Sequence, residues 1–149
     1  MKILISACLL GISCRYDGAS QENREAAALA SRFELVPFCP EIYGGLPTPR
    51  SPSERVKDRV VSREGKDVTE AFSRGARECL RLCRLLGIRT AILKEKSPSC
   101  GSESIYDGSF SGTLTAGDGV TAALLRKEGI AVYSEKEIPV LLAQEEKET

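Results

Sequence analysis

The chain has 149 residues and carries 21 basic and 21 acidic side chains, so its formal net charge is zero. A chain of this length is predicted to form one domain without disulfides or a structural metal, because it buries about two thirds of its unfolded surface. Zero net charge gives no electrostatic basis for binding nucleic acid or an anionic membrane, and no stretch approaches the ~20 apolar residues of a membrane span. We therefore expect neither nucleic acid nor a membrane as a partner.

Strands and helices are predicted to alternate along the chain. Apolar runs indicate the strands, and N-cap residues together with Gly87 and Gly129 indicate where helices begin and end. The predicted strands are residues 2–6, 33–36, 88–93 and 130–134. The predicted helices are residues 20–31, beginning at Ser20, and residues 70–86, 118–127 and 138–143. This order predicts an α/β fold, a single-domain three-layer α/β/α sandwich with a mostly parallel, Rossmann-like sheet.

Three segments depart from this alternation. Residues 37–63 hold five of the seven prolines and a Gly-Gly pair, and are predicted to form a rigid loop that contributes to a functional site. Two Gly-flanked turns are expected between the third strand and the third helix. The domain is expected to cover residues 1–149, with a charged tail that frays from about residue 144.

The chain contains six cysteines and no histidine. Its N-terminal run, MKILISACLL, is too short for a secretory signal and lacks a cleavage-like site, so we expect a cytoplasmic protein. Cytoplasmic thiols stay reduced, and several of them indicate metal binding or catalysis more often than disulfides. The absence of histidine excludes His-ligated zinc and catalytic pairs of Ser or Cys with His.

Three of the cysteines follow predicted strands. Cys8 follows the first strand, Cys39 the second and Cys100 the third. Ligands bind outside the carboxyl ends of parallel strands, so these thiols can converge on one crevice. Three thiolates with an open fourth position suit an iron-sulfur cluster better than structural zinc, which takes four ligands, often in C-x-x-C pairs.

Polar residues near these cysteines are candidates for catalysis and substrate binding. Glu41 lies two residues after Cys39, and the hydroxyls of Ser97 and Ser99 precede Cys100, so they provide a carboxylate and a hydroxyl for proton transfer. Arg50 either binds a substrate carbonyl or phosphate through its planar donor fork, or pins its loop to a carboxylate. Tyr43, Arg50 and Ser99 are the candidate substrate contacts.

Five motifs resemble, in spelling and order, the successive motifs of a bacterial family of thiouracil desulfidases, over residues 2–135. They are SACLLGISCRYDG, PFCPEIYGGLPTPR, KSPSCG, YDGSFSG and GVTAALL. The resemblance implies a [4Fe-4S] cluster with three cysteine ligands and one open iron that binds the substrate sulfur. Sulfur then leaves as hydrosulfide, and water supplies the oxygen of uracil without net redox change. Carried over by motif, the ligands are Cys8, Cys39 and Cys100, the acid–base residue is Glu41, and Ser97 assists proton transfer, with Ser99 as the alternative.

The remaining cysteines bear on an alternative function. Cys79 and Cys83 lie one helical turn apart among leucines and are predicted to be core residues. Cys14 is expected to be a packed thiol rather than a ligand. The alternative is a non-catalytic iron-sulfur or metal-binding sulfur carrier, which a fourth ligand from Cys14 would favour. In either case we expect a monomer or homodimer; the enzyme would act on a small-molecule thiobase, with 2-thio and 4-thio substrates both open.

Overall fold

The centre of the fold is a parallel sheet of four strands. The computed structural model describes the backbone of residues 1–148 and the side chains of residues 1–143. The strands in chain order are β1 (Lys2–Ser6), β2 (Glu34–Phe38), β3 (Ser53–Val56), β4 (Arg59–Ser62), β5 (Thr90–Leu93), β6 (Ser104–Tyr106), β7 (Leu114–Ala116) and β8 (Ala131–Ser134). The helices are α1 (Arg24–Leu29), α2 (Pro40–Tyr43), α3 (Thr69–Leu86), α4 (Val120–Lys127) and α5 (Ile138–Glu148).

The central sheet has the order β2-β1-β5-β8 with all neighbours parallel. Four of the five residues of β1 are buried, as expected for a strand covered on both faces. The pairing aligns the carboxyl ends of neighbouring strands, with Ser6 opposite Phe38 and Ile5 opposite Ile92. Residues that follow β1, β2 and β5 therefore emerge at one edge of the sheet.

Helices cover both faces of this sheet, which confirms the predicted three-layer α/β/α sandwich. Cys79, Leu80 and Cys83 of α3 pack with Ala122 and Leu125 of α4 against one face. Residues of α1 and α5 pack with the odd-numbered side chains of β1 against the other face. The buried pair Cys79 and Cys83 belongs to this core, as predicted. Gly87 ends α3 in the left-handed conformation with φ of 69°.

Helices α2 and α3 meet at backbone contact distance. A Cβ atom added at Gly75 would overlap the carbonyl oxygen of Pro40, and one at Gly44 would overlap that of Ala71. Two glycines thus allow the short helix after Cys39 to lie directly on α3. This contact fixes the position of the segment that contains Glu41.

The structure differs from the sequence prediction in three places. Residues 37–63 do not form one rigid loop, because they contain α2 and the antiparallel hairpin β3–β4. Residues 104–116 form a second hairpin, β6–β7, rather than turns alone. Helix α1 begins at Arg24 instead of Ser20, since Asn23 is the N-cap and its side chain accepts a hydrogen bond from the backbone N–H of Ala26 (3.0 Å).

The C-terminal part of α5 bears on one further prediction. The expected frayed tail from about residue 144 lies outside the residues whose side chains are described, and Thr149 lies outside the described backbone. Within residues 1–148, no helix is both long enough and apolar enough to cross a membrane. The prediction that the tail frays therefore stays a prediction.

Candidate active site

A cavity of about 610 Å³ opens at the carboxyl ends of β1, β2 and β5. The chain leaves β1 towards β2 on one side and returns to β5 on the other, so the cavity lies at the switch point of the sheet, where parallel α/β proteins bind ligands. Its volume lies within the usual range of small-molecule sites, about 300–1,000 Å³. The cysteines that line it are Cys8, Cys14, Cys39 and Cys100.

The structure brings the three predicted ligand cysteines together and adds Cys14 to them. Cys8 lies in a short 3-10 turn directly after β1, and Cys39 directly follows β2. The Cys14 thiol is hydrogen-bonded to the thiols of both residues, and its carbonyl oxygen accepts a hydrogen bond from Cys39 Sγ (3.8 Å). Cys100, which follows β5, is buried beside the carboxyl end of β1, where its thiol contacts the hydroxyl of Ser6.

Two of these thiols are strongly shifted towards the protonated form. Burial raises the pKa of Cys100 to about 12. The hydrogen bond with Cys14, together with burial, raises the pKa of Cys39 well above its ordinary value. Cysteine binds metals as the thiolate. Binding of a metal or cluster to these residues must therefore release their protons.

The turn that carries Cys100 is held by the start of α4. The backbone N–H groups of Gly119, Val120 and Thr121 donate to the carbonyl oxygens of Gly101 (2.7 Å), Pro98 (2.8 Å) and Ser99 (2.9 Å). A Cβ atom at Gly119 would overlap the backbone of Ser99. The N–H groups at the start of a helix have no partner within the helix. Here they bind the carbonyl groups of the Cys100 turn and so fix its position.

A buried carboxylate holds the other side of the same turn. Oε1 of Glu95, which is 3% exposed, accepts hydrogen bonds from the backbone N–H groups of Lys96 (3.2 Å), Ser102 (3.3 Å) and Ser104 (3.2 Å). Burial opposes ionisation of Glu95, but the backbone donors outweigh it and lower its pKa. Glu95 therefore stabilises, as a carboxylate, the loop that positions Cys100.

The hydroxyls of Ser97 and Ser99 have different environments. Ser97 lines the cavity, and its Oγ accepts hydrogen bonds from the backbone N–H groups of Ser99 and Cys100, both at 3.0 Å. Ser99 is 1% exposed, its hydroxyl lies 2.7 Å from Thr121 Oγ1, and it does not line the cavity. Ser97 thus reaches the cavity, whereas the hydroxyl of Ser99 is buried behind it, in contact with Thr121 and with the thiol of Cys100.

Glu41 and Arg50 both line the cavity and form an ion pair. Nε of Arg50 donates to Oε2 of Glu41 (2.9 Å), and Nη2 binds the same oxygen and the carbonyl of Cys14 (3.0 Å). Oε1 of Glu41 accepts no hydrogen bond from residues 1–143, which leaves it available in the cavity. The predicted substrate contact Tyr43 is elsewhere: it is 60% exposed, stacks on Phe38 at 4.4 Å and does not line the cavity.

The chemistry of the donor set fits an iron-sulfur cluster. Such clusters are held by cysteine thiolates, and this cavity is lined by thiols that follow three different strands of the central sheet. Because no histidine is present, cysteine is the only soft metal ligand that the cavity offers.

Comparison with known proteins identifies the family. A family model described as 2-thiouracil desulfurase matches residues 3–137. The chain belongs to the 2-thiouracil desulfurase family. The solved structure of the [4Fe-4S]-dependent thiouracil desulfidase TudS is 52% identical, with 96% of each chain covered and a TM-score of 0.90. The uncharacterized protein YbbK of Bacillus subtilis (strain 168) is 41% identical over 150 residues, which cover 94% of this chain and 99% of YbbK.

The comparisons confirm the predicted family resemblance and the α/β fold, and favour the enzyme over the sulfur-carrier alternative. Sequence reasoning did not place Cys14 in the cavity, nor the two hairpins that also line it. Phe110, one of the residues that the hairpins contribute, belongs to the motif YDGSFSG, one of the five that carry the family resemblance. A bulky aromatic residue among turn residues is the sequence signal that could have indicated a functional role.

Proposed function

We propose that this chain is a [4Fe-4S]-dependent desulfidase that converts a thiolated pyrimidine and water into the corresponding uracil and hydrosulfide. The observation that carries this proposal is the presence of strand-end thiols, Glu41 and Ser97 in one cavity of a chain that is 52% identical to TudS. A carboxylate, a hydroxyl and cluster ligands in one cavity are the components that such a hydrolytic desulfurisation requires.

Cys8, Cys39 and Cys100 are the proposed cluster ligands. Each follows a different strand of the central sheet, so rigid elements hold all three. Cys14 lies in the loop beyond the turn of Cys8 and is the remaining thiol of the cavity. When bound, the cluster supplies one iron without a protein ligand, which acts as a Lewis acid for the substrate sulfur.

Ser97 and Glu41 are the proposed proton-transfer residues. Two backbone N–H groups donate to Oγ of Ser97, so its own O–H remains for donation to the substrate sulfur. Oε1 of Glu41 accepts a proton from the attacking water, while Arg50 fixes Oε2. The carbon–sulfur double bond is replaced by a carbon–oxygen double bond, one proton of the water leaves with the sulfur as hydrosulfide and the other is released to solvent, so no electron acceptor is needed.

The expected partner is a small thiobase rather than a nucleic acid or a membrane. The cavity has the volume of a small-molecule site, and the formal net charge of the chain is zero. All six cysteines are free thiols, which supports a reducing, cytoplasmic location. A monomer or homodimer is the proposed assembly.

Anaerobic reconstitution tests both the activity and the ligand assignment. Iron and sulfide are counted per chain, and conversion of 2- and 4-thiouracil to uracil is followed by chromatography. We expect Cys8→Ser, Cys39→Ser and Cys100→Ser to lose the cluster and Cys14→Ser to retain it. Cys79→Ala is the matched control, because it removes a buried thiol outside the cavity. Loss of the cluster in Cys14→Ser would instead establish a closed site with four thiol ligands, and wild-type protein without turnover would refute the desulfidase.

A further inference from the structure

The two hairpins β3–β4 and β6–β7 contribute residues to the lining of the cavity that contains the cysteines. Glu54 of β3 joins the two hairpins, and this residue is 9% exposed. Its Oε1 accepts hydrogen bonds from the backbone N–H groups of Gly108 (3.0 Å) and Phe110 (3.1 Å). These two residues lie in the loop between β6 and β7. A charged side chain from one hairpin thus fixes the loop of the other, and both contribute residues to the cavity.

Phe110 occupies a strained backbone conformation in this loop. Its φ is 56°, in the left-handed region that a bulky aromatic residue rarely adopts. Such strain persists only where surrounding contacts enforce it, and it is concentrated at functional sites. Here the hydrogen bond from the Phe110 N–H to Glu54 provides one such contact.

The neighbouring residues of the loop are equally specialised. Gly108 has φ of 95°, and a Cβ atom there would lie 2.7 Å from Val56 Cγ2 and 3.1 Å from the Arg55 carbonyl oxygen. Oδ1 of Asp107 accepts a hydrogen bond from the Ser109 N–H (2.9 Å), which closes a turn before Phe110. The loop is therefore built to hold one side chain in a set position.

That side chain is an aromatic ring on the cavity wall. Phe110 lines the cavity, and the guanidinium carbon of Arg63, from the segment after β4, lies 5.9 Å from the centroid of its ring. A cation over one face of the ring restrains its orientation and leaves the other face for a flat partner. Phe110 is half-buried, so it retains surface for such a contact.

We propose that Phe110 is the stacking platform that recognises the heteroaromatic ring of the thiolated base and thereby selects pyrimidines over other thiocarbonyl compounds. This inference rests on the proposed desulfidase function and adds a specificity residue to it. Phe110 lines the same cavity as the proposed cluster ligands, so a base stacked on its ring would share that cavity with them. Stacking on an aromatic side chain is sensitive to the planarity of the ring and insensitive to the chemistry at sulfur.

Steady-state kinetics of the cluster-loaded enzyme test this role with three variants. Phe110→Leu and Phe110→Asn remove the ring, and Asn also tolerates the left-handed backbone, which guards against misfolding. Phe110→Tyr keeps the ring. Leu114→Ala is the control, because Leu114 belongs to the same hairpin, is exposed and does not line the cavity. Iron per chain is measured for each protein.

We expect Phe110→Leu and Phe110→Asn to raise the KM for thiouracil and the inhibition constant of uracil together, by about 10- to 100-fold, with little change in kcat or iron content. Uracil has no sulfur, so its inhibition constant reports ring recognition alone. The KM for 5,6-dihydro-2-thiouracil, which is not aromatic, is expected to change less than about threefold. Phe110→Tyr and Leu114→Ala should match the wild type.

Two results would overturn the platform. The first is a KM for thiouracil within twofold of wild type in both ring-removing variants. The second is an equal rise for thiouracil and its dihydro analogue, which marks a general structural defect. If the loaded wild type shows no desulfurisation, the proposed function fails, and equilibrium dialysis with uracil still compares binding to wild type and Phe110→Asn. Equal binding to both, or no binding to either, would then reject the platform as well.

Discussion

The guanidinium of Arg50 binds a single oxygen of Glu41, Oε2, through both Nε and Nη2. The other donors of Arg50 are also used: Nη1 binds Pro47 O (3.2 Å) and Thr48 Oγ1 (3.1 Å), and Nη2 binds Cys14 O (3.0 Å). All five N–H groups of the side chain therefore have protein partners. This geometry favours the interpretation of Arg50 as a residue that positions Glu41 over its interpretation as a substrate contact.

Arg50→Lys is expected to lower kcat about 10- to 100-fold and to leave KM within about threefold. Lysine keeps the charge but lacks the planar fork, so Glu41 loses its fixed orientation towards the reacting atoms. Steady-state kinetics on preparations matched for iron content measure both constants. A raised KM with unchanged kcat would instead identify Arg50 as a substrate contact.

Ser97→Ala is expected to lower kcat about 100-fold or more, because it removes the donor proposed for the leaving sulfur. It also removes the acceptor for the N–H of Cys100, so iron per chain must be measured alongside activity. Ser97→Thr keeps both functions of the hydroxyl and should retain most of the activity. Comparable activity of the Ala and Thr variants, per loaded cluster, would rule out a role for the hydroxyl in catalysis.

Gly75→Ala is expected to reduce the free energy of unfolding by roughly 1–3 kcal/mol, although alanine favours helices. The added Cβ overlaps the carbonyl oxygen of Pro40, so α2 must move away from α3. Cys39 and Glu41 move with α2, and iron content should fall as well. Urea unfolding measures the change, and Arg74→Ala, at an exposed position of the same helix, should remain within about 0.5 kcal/mol of wild type.

Glu95→Gln is expected to destabilise the chain by about 1–2 kcal/mol at neutral pH, since backbone N–H groups bind a carboxylate more strongly than an amide. The pKa of Glu95 is lowered below its ordinary value of 4.5 in the folded state. Its contribution to stability is therefore complete above pH 4.5 and is lost as the pH falls through the lowered value. Urea unfolding across this range should show the difference between wild type and variant shrinking towards acid pH.

The control for Glu95 is Glu103→Gln, because Glu103 is an exposed carboxylate in the same loop. Its unfolding free energy should follow that of wild type at every pH. A pH-independent difference between Glu95→Gln and wild type would show that the charge of Glu95 does not stabilise the loop.

The central sheet could be predicted because each of its strands contains a short apolar run and these runs alternate with helical segments. Strand β1 was placed at its observed bounds, and the convergence of Cys8, Cys39 and Cys100 followed from parallel topology alone. The hairpins β3–β4 and β6–β7 were missed because their short strands contain no run of three apolar residues, and those of β6–β7 stand between glycine turns.

Side-chain direction was the other limit of sequence reasoning. Ser97 and Ser99 are two residues apart in one turn, and the contact of Ser99 with Thr121 of α4 keeps its hydroxyl away from the cavity, which Ser97 lines. Tyr43 was assigned to substrate binding by its place in a motif, whereas its ring stacks on Phe38 outside the cavity. Such choices depend on contacts between distant segments, which spacing along the chain does not encode.

The three proposed ligand cysteines follow three different strands of the central sheet. This arrangement bears on how the proposed cluster is inserted. Cys8 and Cys100 come to line one cavity only when β5 pairs with β1, late in the order of synthesis. A nascent chain therefore offers no short cysteine run, of the kind found in ferredoxins, on which iron and sulfide can assemble. On the proposed ligand assignment, the chain is therefore expected to fold before the cluster is inserted.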